Sequence, residues 1–522
     1  MNHSVELASQ GLGFITPLTS FILVLCILFC LCLIVGLESD RADDFFLASR
    51  SLPPVKNALA LCGEYISTTV LLSAVGSVAL VGFDGTVLAA CAVAGLGVLL
   101  RMAEPLRRTP GFTLGDVLGY RSGGSPARIA AAVTTLVVCL PITIVQLTVA
   151  GDATAYLLRL DGDTPAKICT VLLGLLIISF SAFGGMRGTT LVQICKAVFV
   201  FGAMLAVSGV VMDRFGWGFG TLLDTASLQG GDAFNQPGHL LGNSVSAQLD
   251  FFSMCLGVVL GSAVLPPVLM RVCSTASVAE ARRTSRLALF MVAPLYGSLA
   301  LAGLGAAALL GSPAVAQSDP QGLRALFQLS DALTAGTDDS ILFTAVACAV
   351  FITALSSVAS LTLVSAAAVS HDLYACLGAD TEARGEREVR VARTAVMGIG
   401  ATSVALAVAL HEWGIMFLST FAGAVAASTI FPALVYSLFW KRFTKTGLLW
   451  AVYGSLLCCV VLEFFSPAVS GSPLALLPER DFHWFPLQNS ALVSVPVGFA
   501  LGWAGSVWSA SRAVGQRPGP AT

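Results

Sequence analysis

Charged residues are scarce in this 522-residue chain, since Asp, Glu, Lys and Arg together make up only 11% of it. That share is less than half of what an ordinary soluble domain carries, and hydrophobic residues account for 56%. A soluble fold cannot bury so much apolar surface, so a cytosolic enzyme, a secreted domain and a disordered chain are excluded. The formal net charge of −2 gives no reason to expect a polyanion, and nucleic acid is not a predicted partner.

Catalytic motifs are also missing. The chain contains no GxxxxGK[ST] phosphate loop, no HExxH metal motif and no GxSxG nucleophile motif. Its 5 histidines lie at termini, in loops or at span ends, and most of its 14 cysteines lie inside apolar stretches as small buried hydrophobes. We therefore predict that the chain is not an enzyme and that its function resides in a helical bundle.

Long apolar runs, in contrast, are abundant. A helix that crosses a bilayer needs about 20 mostly apolar residues. The first such run lacks a basic leading region, so an uncleaved span fits better than a signal peptide. The runs predict an all-α membrane protein with 13 transmembrane helices, near 14–36, 57–82, 85–104, 127–151, 165–183, 189–212, 247–270, 286–310, 340–369, 391–410, 413–439, 446–465 and 488–509.

The distribution of cations predicts the orientation. If the N-terminus lies outside and the C-terminus in the cytoplasm, all but five of the 28 Lys and Arg residues fall in or beside the inside loops. Lys196 and Arg271 belong to this group and are expected near the inner surface. The asymmetry predicts a multi-pass protein of the cytoplasmic membrane, embedded in the lipid bilayer. The five exceptions are Arg159, Lys167, Arg214, Arg324 and Arg480.

Two spans contain residues that interrupt helices. The second carries Gly63 and Glu64 before the hydroxyl run 67–69, and the seventh runs from Gly261 to two consecutive prolines at 266–267. Interrupted helices leave backbone groups free to bind ions and polar solutes in transporters. Their spacing predicts two inverted halves of five helices each, at 57–213 and 247–439. A helix at 14–36 precedes them, and two helices over 446–510 and a cytoplasmic tail at 511–522 follow.

Two polar features inside the spans have more than one interpretation. Glu64 lies at membrane depth, where an acid is a functional candidate by default, although a structural carboxylate that binds neighbouring helices is an equal alternative. Ser356, Ser357 and Ser360 in the ninth span fit helix packing, as small residues do. The same hydroxyls, facing the freed carbonyls of a broken helix, also suit a hard cation that prefers oxygen ligands.

At these residues the sequence resembles the sodium:solute symporter family, in particular its cation/acetate and monocarboxylate branch. The similarity runs from about Asp43 to Lys445 and implies a LeuT-type core of two inverted five-helix repeats with alternating access. The segments that carry it are DFFLA at 44–48, GEYIS at 63–67, GFDG at 82–85, FGGM at 183–186, FFSM at 251–254, LPPVLMR at 265–271 and AVSHDLY at 368–374.

The resemblance also implies a site and a function. It implies sodium-coupled symport of a small monocarboxylate (acetate, propionate, pyruvate or lactate) into the cell, with Glu64 as a coupling or gating candidate. The chain has Val192 and Gln193 where other members have a Thr-Asp pair, so a second sodium ion is not expected. The implied sodium ligands are the carbonyls of Gly63, Ile66 and Thr353 and the hydroxyls of Ser356 and Ser357. The implied solute contacts are Ser67, Thr68, Thr69, Gly261, Ser262, Ala263 and Pro266.

Three alternatives stay open. A proton-coupled symporter with Glu64 as the carrier, a symporter for another solute, and a ligand sensor with the symporter fold would all share these features. A sensor is disfavoured because only about a dozen residues follow the last predicted span. None of the implied site residues is Arg or Lys, so a carboxylate would be held by helix N-termini and hydroxyls.

Overall fold

The computed structural model describes most of the chain from residue 52 onward. The predicted helix at 14–36, apart from single positions, and the tail beyond Gly515 lie outside the described residues, so the count of 13 spans stays a prediction. The described residues are 52–160, 162–231, 234–238, 240–242, 244–334, 341–377, 384–411, 414–472 and 475–515, together with positions 19, 23, 26, 27 and 46.

The described residues are predominantly helical. The helices are α1 Pro54–Tyr65, α2 Thr68–Val81, α3 Phe83–Arg108, α4 Leu114–Ser122, α5 Ser125–Leu157, α6 Asp163–Ala182, α7 Gly184–Arg214, α8 Phe219–Gly230, α9 Val245–Ala263, α10 Pro266–Cys273, α11 Val278–Leu310, α12 Ser312–Ser318, α13 Ala325–Thr334, α14 Ile341–Ala367, α15 Arg384–Ala409, α16 Ile415–Val425, α17 Phe431–Phe439, α18 Lys445–Leu449, α19 Ser455–Phe464 and α20 Ala491–Gly515. Short π-helical segments extend α14 through Ala368–Leu373 and join α16 to α17 and α18 to α19.

Within the described part of the chain, 11 spans are long and apolar enough to cross a membrane, and the bent pair α1–α2 makes up to 12. Each corresponds to one of the predicted windows from 57–82 to 488–509. The chain is kinked between α6 and α7, where Gly185 in the first turn of α7 has non-helical backbone angles of φ 50° and ψ −159°. Residues with a Cβ rarely adopt this region, so glycine allows one span to end and the next to begin without a loop.

Helix α14 lies at the centre of the bundle. It is apolar on all sides and buried from Val346 through Ala367, as expected of a helix surrounded by other helices. Helices α5, α7 and α15 pack against it, and α11 packs against α1, α2 and α3. This arrangement places the serines of α14 in the interior, at the level where the first span is broken.

Candidate functional site

The first predicted break is present between α1 and α2. The two helices meet at an angle of 61°, and Ile66 and Ser67 between them have extended backbone angles. Ser67 is a favourable N-cap residue, and its hydroxyl accepts a hydrogen bond from the Val70 amide at 3.1 Å. The break turns the carbonyl of Ile66 away from the helix axis, and it becomes available to a neighbouring helix.

The amides at the start of α2 already have acceptors. Gln146 on α5 accepts from the amides of Thr68 at 2.9 Å and Thr69 at 3.3 Å, and its side-chain amide donates to the Thr69 hydroxyl at 2.8 Å. Two of the predicted solute contacts, Thr68 and Thr69, are therefore held in place by Gln146, which the sequence analysis did not single out. The Thr68 hydroxyl is buried and has no partner among the described residues, so it is the group here with unused hydrogen-bonding capacity.

The second predicted break lies between α9 and α10. Helix α9 ends at Ala263, and α10 begins at Pro266, whose missing N–H suits the first turn of a helix. The Tyr65 hydroxyl donates to the Ser262 hydroxyl at 2.9 Å, so the two broken spans touch directly. Gly261 lies against the backbone of Gly423, where an added Cβ would be 2.5 Å from the carbonyl oxygen. Gly261 therefore serves close helix packing here.

Glu64 forms a buried ion pair with Arg271, hereafter the central ion pair. The Arg271 Nη2 atom lies 2.8 Å from Glu64 Oε1, and the two side chains are 1% and 3% exposed. Ser360 on α14 donates to the same carboxylate oxygen at 2.7 Å, and Arg271 Nη1 donates to the Thr190 hydroxyl on α7. The pair thus connects four helices. The sequence did not predict this pairing of Arg271 with a buried carboxylate, and its expected position near the inner surface stays a prediction.

Lys196 on α7 is also fully buried within the protein, and its expected position near the inner surface likewise stays a prediction. Its ammonium donates to the Ile66 carbonyl at 2.9 Å and to the Ser357 hydroxyl at 3.4 Å. The carbonyl freed by the break explains this position, because a buried ammonium needs acceptors and a free carbonyl needs a donor.

Two of the five residues predicted to bind sodium contact this ammonium, and the other three, Gly63, Thr353 and Ser356, have contacts of their own. Gly63 packs against Gln193, where an added Cβ would lie 2.4 Å from the Gln193 carbonyl oxygen, and Gln193 Nε2 donates to the Ser356 carbonyl at 3.3 Å. The Ser356 hydroxyl donates to the Thr353 carbonyl at 3.1 Å. A sodium ion about 4 Å from the ammonium would be repelled by about 4 kcal/mol at an effective dielectric constant of about 20. The donor set as described does not fit a sodium ion.

A second ionic cluster, hereafter the His371 network, lies at one end of the bundle. His371 contacts Glu388 at 2.7 Å through Nδ1 and Asp116 at 3.1 Å through Nε2, and Arg128 lies 2.8 Å from Asp116. The Thr113 hydroxyl donates to Asp372 at 2.8 Å.

Asp116, His371 and Asp372 lie close enough together to hold a metal ion, but both ring nitrogens of His371 face carboxylates. With both acting as donors, no lone pair is left for a metal.

Asp116 is the most connected residue of this network. Burial by itself raises the pKa of its carboxyl group, but hydrogen bonds from His371 and the Phe112 amide and the nearby charges of His371 and Arg128 outweigh burial and lower the pKa below its ordinary value. The carboxylate form is therefore the one that the folded protein stabilises.

Comparison with known proteins identifies related sequences over nearly the whole chain. The profile of the sodium:solute symporter family matches residues 45–454. A monocarboxylic acid transporter of Corynebacterium glutamicum is 35% identical over 525 residues, which cover 97% of this chain and 95% of that protein. The uncharacterised symporter YwcA of Bacillus subtilis is 33% identical over 513 residues, which cover 95% of this chain and 96% of that protein.

Solved structures share the fold at low sequence identity. The substrate-bound outward-open state of a Na⁺-coupled sialic acid symporter superimposes with a TM-score of 0.73 at 16% identity, covering 94% of this chain and 97% of that one. The inward-facing conformation of Mhp1 gives a TM-score of 0.55 at 12% identity, covering 88% and 92%. The predicted LeuT-type fold is thereby supported, while the exact helix count and the division into repeats stay predictions.

Proposed function

This chain belongs to the sodium:solute symporter family, and from that premise we propose that it is a secondary active transporter that takes up a small monocarboxylate by alternating access. Acetate, propionate, pyruvate and lactate are the proposed substrates. The relatives are transporters, and we propose no enzymatic activity. The similarity to a monocarboxylic acid transporter supports this substrate class, and the charge of the buried site supports it independently.

The observation that carries the proposal is an excess of positive charge at the first break. Arg271 and Lys196 are buried there against the single carboxylate of Glu64. A buried charge is costly unless it is balanced, so an anionic solute beside these groups is stabilised more than a neutral sugar would be. The sequence predicts that helix ends and hydroxyls hold the carboxylate of the solute. The charges of Arg271 and Lys196 would attract that carboxylate more strongly than these neutral groups do.

The proposed solute position lies against residues 67–69 and the second break at Gly261–Pro266. The Thr68 hydroxyl is the group we expect to bind the carboxylate, because it is buried and has no partner among the described side chains. The amides at the start of α2 contribute less than predicted, since Gln146 already accepts from two of them. Ser262 positions Tyr65 rather than the solute in this conformation.

The coupling ion has two candidates. Family membership supports sodium, the ion predicted from the sequence, and the structurally similar sialic acid symporter is Na⁺-coupled. The contact of Lys196 with two of the five predicted sodium ligands favours a proton instead. A ligand sensor with this fold would bind the same acid without accumulating it.

Uptake into proteoliposomes tests this function. Labelled acetate is measured under an imposed sodium gradient or an imposed pH gradient, with propionate, pyruvate, lactate and a sugar as competitors. We expect the acids to compete and the sugar to have no effect. Accumulation above equilibrium under either gradient separates a transporter from a sensor, whereas binding without accumulation would contradict the proposal.

The variant Thr68→Val tests the solute position. Loss of a hydrogen bond to a charged ligand should raise the KM for acetate about tenfold or more. The fold should tolerate the change, because this hydroxyl has no internal partner to lose. Thr148→Val is the matched control: among the described residues, it removes a buried hydroxyl that bonds only to its own helix at Ile144. An unchanged KM in Thr68→Val would exclude this hydroxyl from the site.

A further inference from the structure

Lys196 brings a positive charge to the position that the sequence assigns to sodium. Its ammonium contacts oxygens from two separate elements, the Ile66 carbonyl at the break and the Ser357 hydroxyl on α14. Both oxygens belong to the predicted sodium ligands. The ammonium of Lys196 and a bound sodium ion would therefore compete for the same oxygens.

The chemistry of the two cations is similar enough for one to replace the other. An ammonium is a compact monovalent charge with three donors, and it satisfies a freed carbonyl and a hydroxyl as a sodium ion would. Gln193 lies one helical turn before Lys196 on the same face of α7, and its amide reaches the Ser356 carbonyl at 3.3 Å. Helix α7 thus provides two adjacent contacts that hold α14 beside the break.

The charges around Lys196 disfavour a second cation at this site. Three titratable groups interact with it electrostatically among the described residues: Glu64 and Cys62 on α1 and Arg271 on α10. Glu64 is already paired with Arg271 at 2.8 Å. A sodium ion at the Ile66 carbonyl would face Lys196 and Arg271 with no unpaired carboxylate nearby in the described part of the chain. Close like charges repel strongly in a buried site.

We propose that Lys196 is the resident cation of this site and that the chain binds no sodium ion between Ile66 and Ser357. The inference rests on the proposed function only in taking this break as the transport site. Lys196 then determines ion specificity: it makes the acid-binding conformation independent of sodium, and it supplies part of the positive charge that the carboxylate requires.

Direct binding measurements test the proposal on the purified full-length protein. The midpoint of thermal unfolding in detergent is recorded against increasing sodium chloride, with choline chloride at equal ionic strength as the reference. We expect no sodium-specific shift for the wild-type protein. A saturable sodium-specific stabilisation that disappears in Ser357→Ala would overturn the proposal, and this result needs no change at Lys196.

Transport by variants provides a second readout. In proteoliposomes, acetate uptake by the wild-type protein should be unchanged when sodium is replaced by choline. Lys196→Met keeps most of the side-chain volume without the charge, and uptake should fall about tenfold or more because the charged donor to Ile66 is lost. Lys441→Met, at an exposed position, is the matched control and should transport normally.

The outcomes separate this inference from the proposed function. Sodium-dependent uptake by the wild-type protein, or normal uptake by Lys196→Met, overturns the role of Lys196 while transport of the acid stands. If no acid is taken up under any gradient, the proposed function fails. The unfolding measurement with sodium still decides the identity of the resident cation in that case, because it does not depend on transport.

Discussion

The central ion pair and the His371 network use similar side chains in different surroundings. Glu64 and Arg271 are 3% and 1% exposed, whereas Arg128 is 33% and His371 is 23% exposed. The carboxylate of Glu64 has one cationic partner, while Asp116 has two. Water and a second directly paired cation can compensate for a loss in the His371 network. Glu64 is almost fully buried and has no second directly paired cation among the described residues.

This difference separates two uses of charge within one bundle. A charge in the membrane interior persists only if its partners are fixed, so the central pair determines how α1, α7, α10 and α14 meet. The His371 network ties α4, α5 and α15 to the end of α14 with several overlapping contacts. We therefore expect single changes at the centre to be severe and single changes in the network to be mild.

Removing one partner of the central pair should have the largest effect. Glu64→Gln leaves the Arg271 charge buried without a counter-ion, and we expect a loss of about 3–5 kcal/mol in stability. Glu104→Gln breaks the exposed pair with Arg282 and should cost less than about 1 kcal/mol. Denaturant unfolding in detergent micelles measures both. Equal losses in the two variants would show that burial does not distinguish these pairs.

A methyl group at Gly63 should have the next largest effect. Its Cβ would lie 2.4 Å from the Gln193 carbonyl oxygen, so α1 and α7 must separate, at a cost of about 1–3 kcal/mol. Gly119→Ala in α4, beside the His371 network, meets only the Arg128 side chain at 3.6 Å. It should be neutral or slightly stabilising by thermal unfolding. A neutral Gly63→Ala would show that the central packing is looser than described.

Acid should weaken the His371 network through the protonation of Asp116. Since the pKa of Asp116 is lowered in the folded protein, its contribution is fully present above its unfolded pKa of about 3.9 and is lost as pH falls through the folded value. Asp116→Asn should therefore lower the free energy of unfolding by about 1–2 kcal/mol at pH 7. The stability of this variant should also depend less on pH in acid than that of the wild-type protein. Unfolding midpoints measured from pH 7 to strong acid check this. A variant that keeps the wild-type acid dependence would exclude Asp116 as its source.

Arg128→Met should have the smallest effect of the series. Arg128 is one-third exposed, and His371 still contacts Asp116 when it is removed, so the loss should stay below about 1 kcal/mol. Thermal unfolding at low and high salt measures it, and added salt should reduce the difference from the wild-type protein. A loss as large as that of Glu64→Gln would remove the contrast between the two clusters.

Much of the fold could be predicted because its signals are local. Apolar length gave the windows from 57–82 to 488–509, and the hydroxyl run at 67–69 and the prolines at 266–267 marked both breaks. The partners could not be predicted, since nothing in the sequence pairs Glu64 with Arg271 or Gln146 with Thr68. The burial of Lys196 could have been predicted from its place in the span that begins at 189. At about 1.5 Å of rise per residue, Lys196 lies about 10 Å beyond the start of that span.

The position of the Lys196 side chain at high sodium concentration decides which cation occupies the first break. A cryo-electron microscopy map of the purified protein in sodium acetate would show it. We expect continuous density from Lys196 to the Ile66 carbonyl and the Ser357 hydroxyl, with no separate ion between them. Density for an isolated ion coordinated by Ile66 and Ser357, with the Lys196 side chain turned away, would contradict it.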